Sequence, residues 1–274
     1  MKNLTLITGS TDGIGKQTAF DLAALGFEVI IHGRNEKRCQ QVVEEILELY
    51  PNNFVEYVVA DFANPKAIKR MSDELHEKYK SLSVLINNAG IIEKKKIINK
   101  GIERTFMVNH LAPFYLSLLL LDLLSKGKPS RIVNVSSTIH AAKIDFDNLQ
   151  SEKGFDTKAA YSMSKLANIL FSSYLAKQLK GKKITVNSLH PGVANTKLLR
   201  AISTMQGSHV SLCSKTSVYL ANSEEVYSIT GKYFTNNGMA KPKPISLDPT
   251  AQKQLWEASE KLLNINTKNI LKKI

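Results

Sequence analysis

Thr8-Gly9-Ser10-Thr11-Asp12-Gly13-Ile14-Gly15 is the stretch whose reading decides the fold. It follows the apolar, strand-like run Leu4–Thr8 and opens an amphipathic stretch, Gly15–Leu25, that predicts a helix. Gly9, Gly13 and Gly15 carry no Cβ, so the backbone can approach a pyrophosphate, which then meets the positive end of the helix. The spacing is Gly-x3-Gly-x-Gly, not the Gly-x-Gly-x-x-Gly of the usual dinucleotide fingerprint. The complete strand–turn–helix context is what separates this turn from a chance glycine cluster.

The same alternation runs on along the chain. Apolar runs of strand length recur at Glu28–His32, Val55–Ala60, Val84–Asn87, Arg131–Ser136, Ile184–Leu189 and Lys232–Thr235. Helix-length stretches lie between them. Glu36–Tyr50 is stopped by Pro51, and the cap pair Asn64-Pro65 opens a helix to about Tyr79. Others are expected over Gly101–Ser125, Thr157–Leu179 and Pro249–Leu263. Val-, Ile- and Leu-rich strands in this alternation predict a parallel sheet of about seven strands with helices on both faces, a doubly wound α/β fold of the Rossmann type. No repeat, low-complexity stretch or linker divides the chain. Residues 1–274 are therefore expected to form one domain, with a cofactor half over about 1–135 and a catalytic and substrate-loop half over about 136–274.

Composition narrows the function classes. At 274 residues and 43% hydrophobic content the chain can bury a sizeable core. Cys39 and Cys213 share no metal or redox spacing with each other or with nearby histidines, so they read as free thiols in a reducing, cytoplasmic setting and no metal site is expected. No signal peptide or stable membrane anchor is expected: the chain opens directly on Leu4, and the apolar run Phe114–Leu121 ends at Asp122, short of the roughly 20 residues a span needs. The net charge of +13 invites a nucleic-acid reading, but the basic residues are dispersed, Lys94-Lys95-Lys96 is the one tight run, and aromatics do not interleave. Nucleic acid is thus not an expected partner, and the charge suits an anionic cofactor or substrate. The basic C-terminal stretch 269–274 reads as a frayed tail.

Tyr161-Ser162-Met163-Ser164-Lys165 carries the chemistry. Tyr161 and Lys165 lie four residues apart in a predicted helix and project from one face. A free tyrosine, with a pKa of about 10, is a poor proton donor or acceptor at neutral pH. An ammonium one turn away favours the phenolate and draws the group toward the working range. After the second strand, Ile31-His32-Gly33-Arg34-Asn35 puts Arg34 near the position where an NAD enzyme places an acid against the adenosine ribose, with Arg38 a turn later. A carboxylate would repel a 2′-phosphate, whereas a guanidinium can grip it through two hydrogen bonds, so NADP(H) is expected in preference to NAD(H). The alternative for Arg34 is a solvated loop position, and Asp12 in the glycine loop adds nothing to phosphate binding.

Together these residues resemble the short-chain dehydrogenase/reductase family over nearly the whole chain and in the family's order. The match comprises the glycine turn, Asp61 after the third strand, Asn87-Asn88-Ala89-Gly90 after the fourth, Asn109 in the fourth helix, Ser136-Ser137 after the fifth strand, Tyr161-x-x-x-Lys165, and Pro191-Gly192 after the sixth. Val108-Asn109-His110-Leu111, His190-Pro191-Gly192 and Gly231-Lys232-Tyr233-Phe234 look closest to the retinol dehydrogenase and WW-domain oxidoreductase branch, which acts on retinoids, steroids and other carbonyls, often with NADP(H). The resemblance implies that Tyr161 is the acid/base and that Lys165 lowers its pKa while binding the nicotinamide ribose. It likewise implies that Ser137 hydrogen-bonds the substrate carbonyl and that Asn109 holds a water linking Lys165 to solvent. The implied cofactor site comprises Gly9, Ser10, Thr11, Asp12, Gly13, Ile14 and Gly15 in the turn, Arg34 and Asn35 after the second strand, and Asp61 and Phe62 after the third. Asn88, Ala89 and Gly90, then Pro191, Gly192, Val193 and Thr196, complete it with Tyr161 and Lys165. The implied reaction interconverts a carbonyl and an alcohol: hydride reaches a carbonyl carbon while Ser137 and Tyr161 hydrogen-bond the oxygen, and Tyr161 delivers the proton.

The segment Ala194–Val218 covers the substrate in that family and is polar here at Ser203, Thr204, Gln206, Ser208, His209 and Ser211. That argues against a long apolar pocket, and modest-sized aldehydes or ketones are the expected substrates. His110 and His190 read as buried structural histidines. A non-catalytic NADP(H)-binding sensor or scaffold on the same fold is the other reading; the intact Ser137, Tyr161, Lys165 and Asn109 stand against it. Family members often form a homo-oligomer through the fourth and fifth helices, which Phe114–Leu121 would suit, and a buried core explains that run equally well.

Overall fold

The computed structural model describes residues 3–127, 129–201, 204–272 and 274, so Ser203 and Lys273 lie outside the described residues. The first half of the chain forms β1 (Leu4–Ile7), α1 (Gly13–Ala24), β2 (Glu28–Gly33), α2 (Glu36–Leu49), β3 (Val55–Val59), α3 (Pro65–Lys78) and β4 (Val84–Asn87). Local caps start these helices. The Asp12 carboxylate accepts from the Gly13 N–H, and the side-chain oxygens of Asn35 and Asn64 accept from the Arg38 and Lys66 N–H groups. Each satisfies one of the donors that a helix leaves unpaired at its start.

A small antiparallel pair follows, β5 (Ile98–Asn99) with β6 (Ile102–Glu103). The continuous helix expected over Gly101–Ser125 is instead broken into α4 (Arg104–Phe106), a π-helical turn at Met107–Leu111, α5 (Ala112–Leu119) and α6 (Leu121–Lys126). Pro113 accounts for the π turn. In a regular helix its ring would press on the Asn109 carbonyl and leave it without a donor. The Ala112 N–H reaches back to the Met107 carbonyl, which opens the turn by one residue.

The remaining elements are β7 (Ser130–Val135), α7 (Thr157–Gln178), β8 (Ile184–His190), α8 (Lys197–Arg200), α9 (Val210–Cys213), α10 (Lys215–Asn222), β9 (Tyr233–Thr235), β10 (Gly238–Ala240), α11 (Pro249–Leu263) and α12 (Thr267–Leu271). Eight strands make one sheet in the order β10-β9-β8-β7-β4-β1-β2-β3, parallel except for β10. The strand beyond the seven expected is β10. Asn236 and Asn237, at φ 49° and 61°, turn the chain straight back along β9 and leave Lys241-Pro242-Lys243-Pro244 at the sheet's outer end.

Successive residues of each strand face opposite layers. Leu6, Ile30 and Ile132 point into the layer holding Phe106, Phe114, Phe171 and Trp256, while Ile7, Ile31 and Val133 point into the one holding Leu22, Ile46 and Phe234. Phe114 and Leu116 are fully buried, so the apolar run of α5 belongs to this core. The C-terminus is not a frayed tail. Ile270, Leu271 and Ile274 pack on the core, and Trp256 Nε1 donates to Thr267 Oγ1 at 2.9 Å. No helix among the described residues is long and apolar enough to cross a membrane. Strand order reverses between β1 and β4, and a crevice opens there at their carboxyl ends.

Candidate active site

The crevice widens into a cleft of about 1030 Å³. The glycine turn forms one end, and the close approach of backbone explains its composition. A Cβ on Gly9, at φ 65°, would stand 2.7 Å from Ala89 Cα, and one on Gly15 would stand 2.4 Å from the Gly9 carbonyl oxygen. Neither position admits a side chain. The end of β4 braces the turn: Thr8 Oγ1 accepts from the N–H groups of Asn88 and Ala89, each at 3.0 Å, and Asn88 Nδ2 donates to the Thr8 carbonyl at 2.9 Å.

His32, at the end of β2, braces it from the other side. Its Nδ1 accepts from the Gly9 N–H at 3.1 Å, its Nε2 lies 3.2 Å from the Ala60 carbonyl, and its ring stacks on Phe62 with centres 4.2 Å apart. A donor faces Nδ1, so the ring proton sits on Nε2. Burial pushes the His32 pKa down to about 4, which keeps the ring neutral.

Gly9, Thr11, Asp12, Gly13, Ile14, Gly15, Arg34, Asp61, Phe62, Asn88, Ala89, Gly90, Ser137, Tyr161, Lys165, Pro191, Gly192, Val193 and Thr196 all line the cleft. Ser10, Asn35 and Asn109 do not. The Ser10 hydroxyl turns inward, donating to the Ile7 carbonyl at 2.7 Å and accepting from the His32 N–H at 3.0 Å. The Asn35 side chain is spent on capping α2. Asn109 is fully buried on the π turn: Oδ1 accepts from the Ile91 N–H at 2.7 Å, and Nδ2 donates to the Ile91 carbonyl at 2.9 Å and to Ser164 Oγ at 3.0 Å. It stands behind Gly90, whose missing Cβ would be 3.5 Å from both Asn109 Oδ1 and Lys165 Nζ.

At the other end of the cleft, α7 presents Tyr161 and Lys165 from one face. Lys165 Nζ donates to the Val135 carbonyl at 3.0 Å and stands 5.5 Å from the centre of the Tyr161 ring. Burial lowers the Lys165 pKa to about 8. The Tyr161 phenol is pushed upward by burial, with the Ser137 hydroxyl pulling it back. Burial sets the direction, and the opposing pull comes from Ser137 and not, as the sequence led one to expect, from Lys165. The two adjacent serines separate cleanly. Ser136 Oγ donates to the Lys165 carbonyl at 2.6 Å and ties β7 to α7, while Ser137 stands beside the phenol. His110 is buried among Phe106, Phe114 and Phe171 with Nε2 on Ser259 Oγ at 2.9 Å, whereas His190, read as structural, lines the cleft.

The segment after β8 folds over the cleft. Its backbone folds on itself, the Ser208 N–H donating to the Val193 carbonyl at 2.7 Å and the Ser208 carbonyl accepting from the Asn195 N–H at 2.9 Å, and the His209 side chain caps α9. Thr196, Lys197, Leu198, Leu199, Ala201 and Met205 of this segment line the cleft and Thr204, Gln206, Ser208, His209 and Ser211 do not, so among the described residues the cover is more apolar than its composition suggests. Lys197 Nζ meets Asp12 Oδ2 at 2.6 Å and holds that carboxyl below its usual pKa, joining the segment to the glycine turn. Among the cleft residues that escaped the sequence reading are His32, the pair Arg104 Nη1–Glu93 Oε1 at 3.4 Å, and Lys158. Lys158 could have been found from helical spacing, since it lies three residues before Tyr161. The pairing of Lys197 with Asp12 spans 185 residues and leaves no local signal.

A family model described as short chain dehydrogenase matches residues 3–207. Retinol dehydrogenase 13 of Homo sapiens is 37% identical, over 97% of this chain and 86% of that protein. A solved structure from Mycobacterium paratuberculosis is 25% identical with a TM-score of 0.80, covering 97% of this chain and 94% of that one. A short chain dehydrogenase of Burkholderia cenocepacia, solved in complex with NADP, is 27% identical with a TM-score of 0.69 over 86% of this chain and 98% of its own. Sheet order, glycine turn and sequence likeness agree: the chain belongs to the short-chain dehydrogenase family of NAD(P)-dependent oxidoreductases, and is similar to its retinol dehydrogenases.

Proposed function

We propose that the protein is an NADP(H)-dependent reductase that interconverts an aldehyde or ketone with its alcohol, with Tyr161 as acid/base. The observation that carries this reading is the convergence of Tyr161, Lys165 and Ser137 on a cleft whose other end is the glycine turn and Arg34. The residues present fit the cofactor. The cradle at Gly9 and Gly15 exists because no Cβ fills it, and the start of α1 faces it. Thr11, Gly13 and Ile14 would hold the pyrophosphate, the exposed Arg34 a 2′-phosphate, and Asp61 and Phe62 the adenine. Gly90, Pro191, Gly192 and Thr196 would line the nicotinamide half.

Bound there, the nicotinamide supplies or accepts the hydride. The chain's part is to place and charge the oxygen. The hydroxyls of Ser137 and Tyr161 hydrogen-bond the carbonyl oxygen, and as negative charge builds there Tyr161 gives up its proton to it. A Lys165 pKa of about 8 leaves the ammonium charged at neutral pH, beside the phenolate that forms. Asn109 fixes the Ile91 backbone next to that ammonium. A single domain acting in the cytoplasm belongs to the same reading.

Nicotinamide absorbance, followed with NADPH and NADH over a panel of short aldehydes, ketones, steroids and retinal, tests it. Retinal is included because of the likeness to retinol dehydrogenase 13. We expect one carbonyl class to oxidise NADPH faster than NADH, and Tyr161→Phe to bind NADPH while losing at least about 100-fold in turnover. Tight NADPH binding with no turnover of any carbonyl would make the protein a sensor instead.

A further inference from the structure

We propose that Lys158 is a specificity-determining residue that holds a carboxylate on the carbonyl substrate, an inference that rests on the reductase reading above. Lys158, Tyr161 and Lys165 follow one another at spacings of three and four residues on α7, and all three line the cleft. Lys165 belongs to the cofactor side of Tyr161, so Lys158 lies on the far side, about 4.5 Å along the helix from the phenol-bearing residue. The other cations of the cleft are engaged or distant. Arg104 meets Glu93 at 3.4 Å, Lys197 meets Asp12 at 2.6 Å, Lys165 donates to the Val135 carbonyl, and Arg34 is at the adenosine end. Lys158 is exposed and, among the described residues, its ammonium has neither a hydrogen bond nor an ion pair.

The same cleft also has apolar walls. Ile139 and Val193 line it while 45% and 41% exposed, apolar surface at the rim of a cleft that a ligand would cover. Apolar walls with one unpaired ammonium beyond the proton donor fit a short amphipathic substrate: a carbonyl at one end, a methylene spacer, and an acid at the other. An ion pair in a half-open cleft is worth about a fivefold preference at moderate salt.

The test compares the semialdehyde of adipic acid with its methyl ester in wild type, Lys158→Ala, Lys158→Glu and Lys158→Arg, each read as the acid-to-ester ratio of kcat/KM within one protein. Wild type should favour the acid by about fivefold, through KM, and lose that preference when salt shortens the Debye length to about 3 Å. Lys158→Ala should abolish the preference, Lys158→Glu reverse it, and Lys158→Arg retain it. Equal handling of acid and ester by wild type, or a ratio unmoved by Lys158→Ala, overturns the assignment. Turnover of neither compound sinks the reductase reading only if no carbonyl of the panel above is reduced either. The anion site is then decided by quenching of bound NADPH fluorescence: acid-selective quenching that Lys158→Ala removes sustains it, and equal quenching by acid and ester overturns it.

Discussion

Lys165 keeps an ammonium where water scarcely reaches, 3% exposed, held by one carbonyl and a cation–π approach to Tyr161. Desolvation lowers its pKa from 10.5 to about 8, so the folded chain binds this proton less tightly than the unfolded chain does. The sign follows: the residue costs stability in full below pH 8, and the cost fades as pH rises through about 10.5. Lys165→Met should therefore lose turnover yet raise the unfolding free energy at pH 7, by about 3 kcal/mol at most. The Val135 carbonyl is not orphaned by the change, because Asn168 Nδ2 still reaches it at 3.3 Å. Urea unfolding at pH 7 and pH 10 measures the gain, and a variant no more stable than wild type at pH 7 refutes it. At this scale the place of Tyr161 and Lys165 on one helix face at the cleft was legible, from their spacing taken together with the glycine turn. The supporting groups were not. His32 and Ser10 look like ordinary strand and loop residues until their partners, Gly9 and Ile7, are seen in space.

Elements show the same division. The strands of the sheet were legible because apolar runs of strand length recur between helix periods, and Asn64-Pro65 announces its helix. The region 101–125 was misread as one helix because it is apolar nearly all round and offers no polar face to set its phase. Pro113 was the available signal. The π turn it imposes is where Asn109 finds its tertiary partners, and those bonds give the turn its role. Asn109→Ala strips the N–H and carbonyl of Ile91 of their partners and leaves Ser164 Oγ without its donor. We expect a loss of about 2–3 kcal/mol in unfolding free energy together with slower turnover at unchanged NADPH affinity. Equilibrium unfolding and single-turnover kinetics check the two halves, and a stable, fully active variant would reduce Asn109 to a bystander.

Across the whole molecule, buried histidines set the acid limit. Burial pushes His32 and His190 down to about 4 and His110 to about 3, whereas in the unfolded chain they titrate near the ordinary histidine value of about 6.5. Above pH 6.5 both states are neutral at these sites and nothing changes. As pH falls from 6.5 toward 4 the unfolded chain takes up protons that the folded chain refuses, so stability drops, by several kcal/mol by pH 5. Urea midpoints at pH 7.5 and pH 5 should differ accordingly, and replacing His110 with Asn should flatten the slope; a level profile contradicts this. What closed the cleft was least legible at this scale, because the bridge from Asp12 to Lys197 depends on the completed fold. The far end of the sheet has its own consequence. A strand laid against β10 would meet three residues and then Pro242 and Pro244, which carry no N–H, with the Lys243 N–H already given to His140 Nε2 at 3.0 Å. Lys241 and Lys243 alternate with those prolines. The ladder thus has no register in which to grow, and that margin is guarded against the runaway strand addition that turns exposed sheet edges into seeds for aggregates.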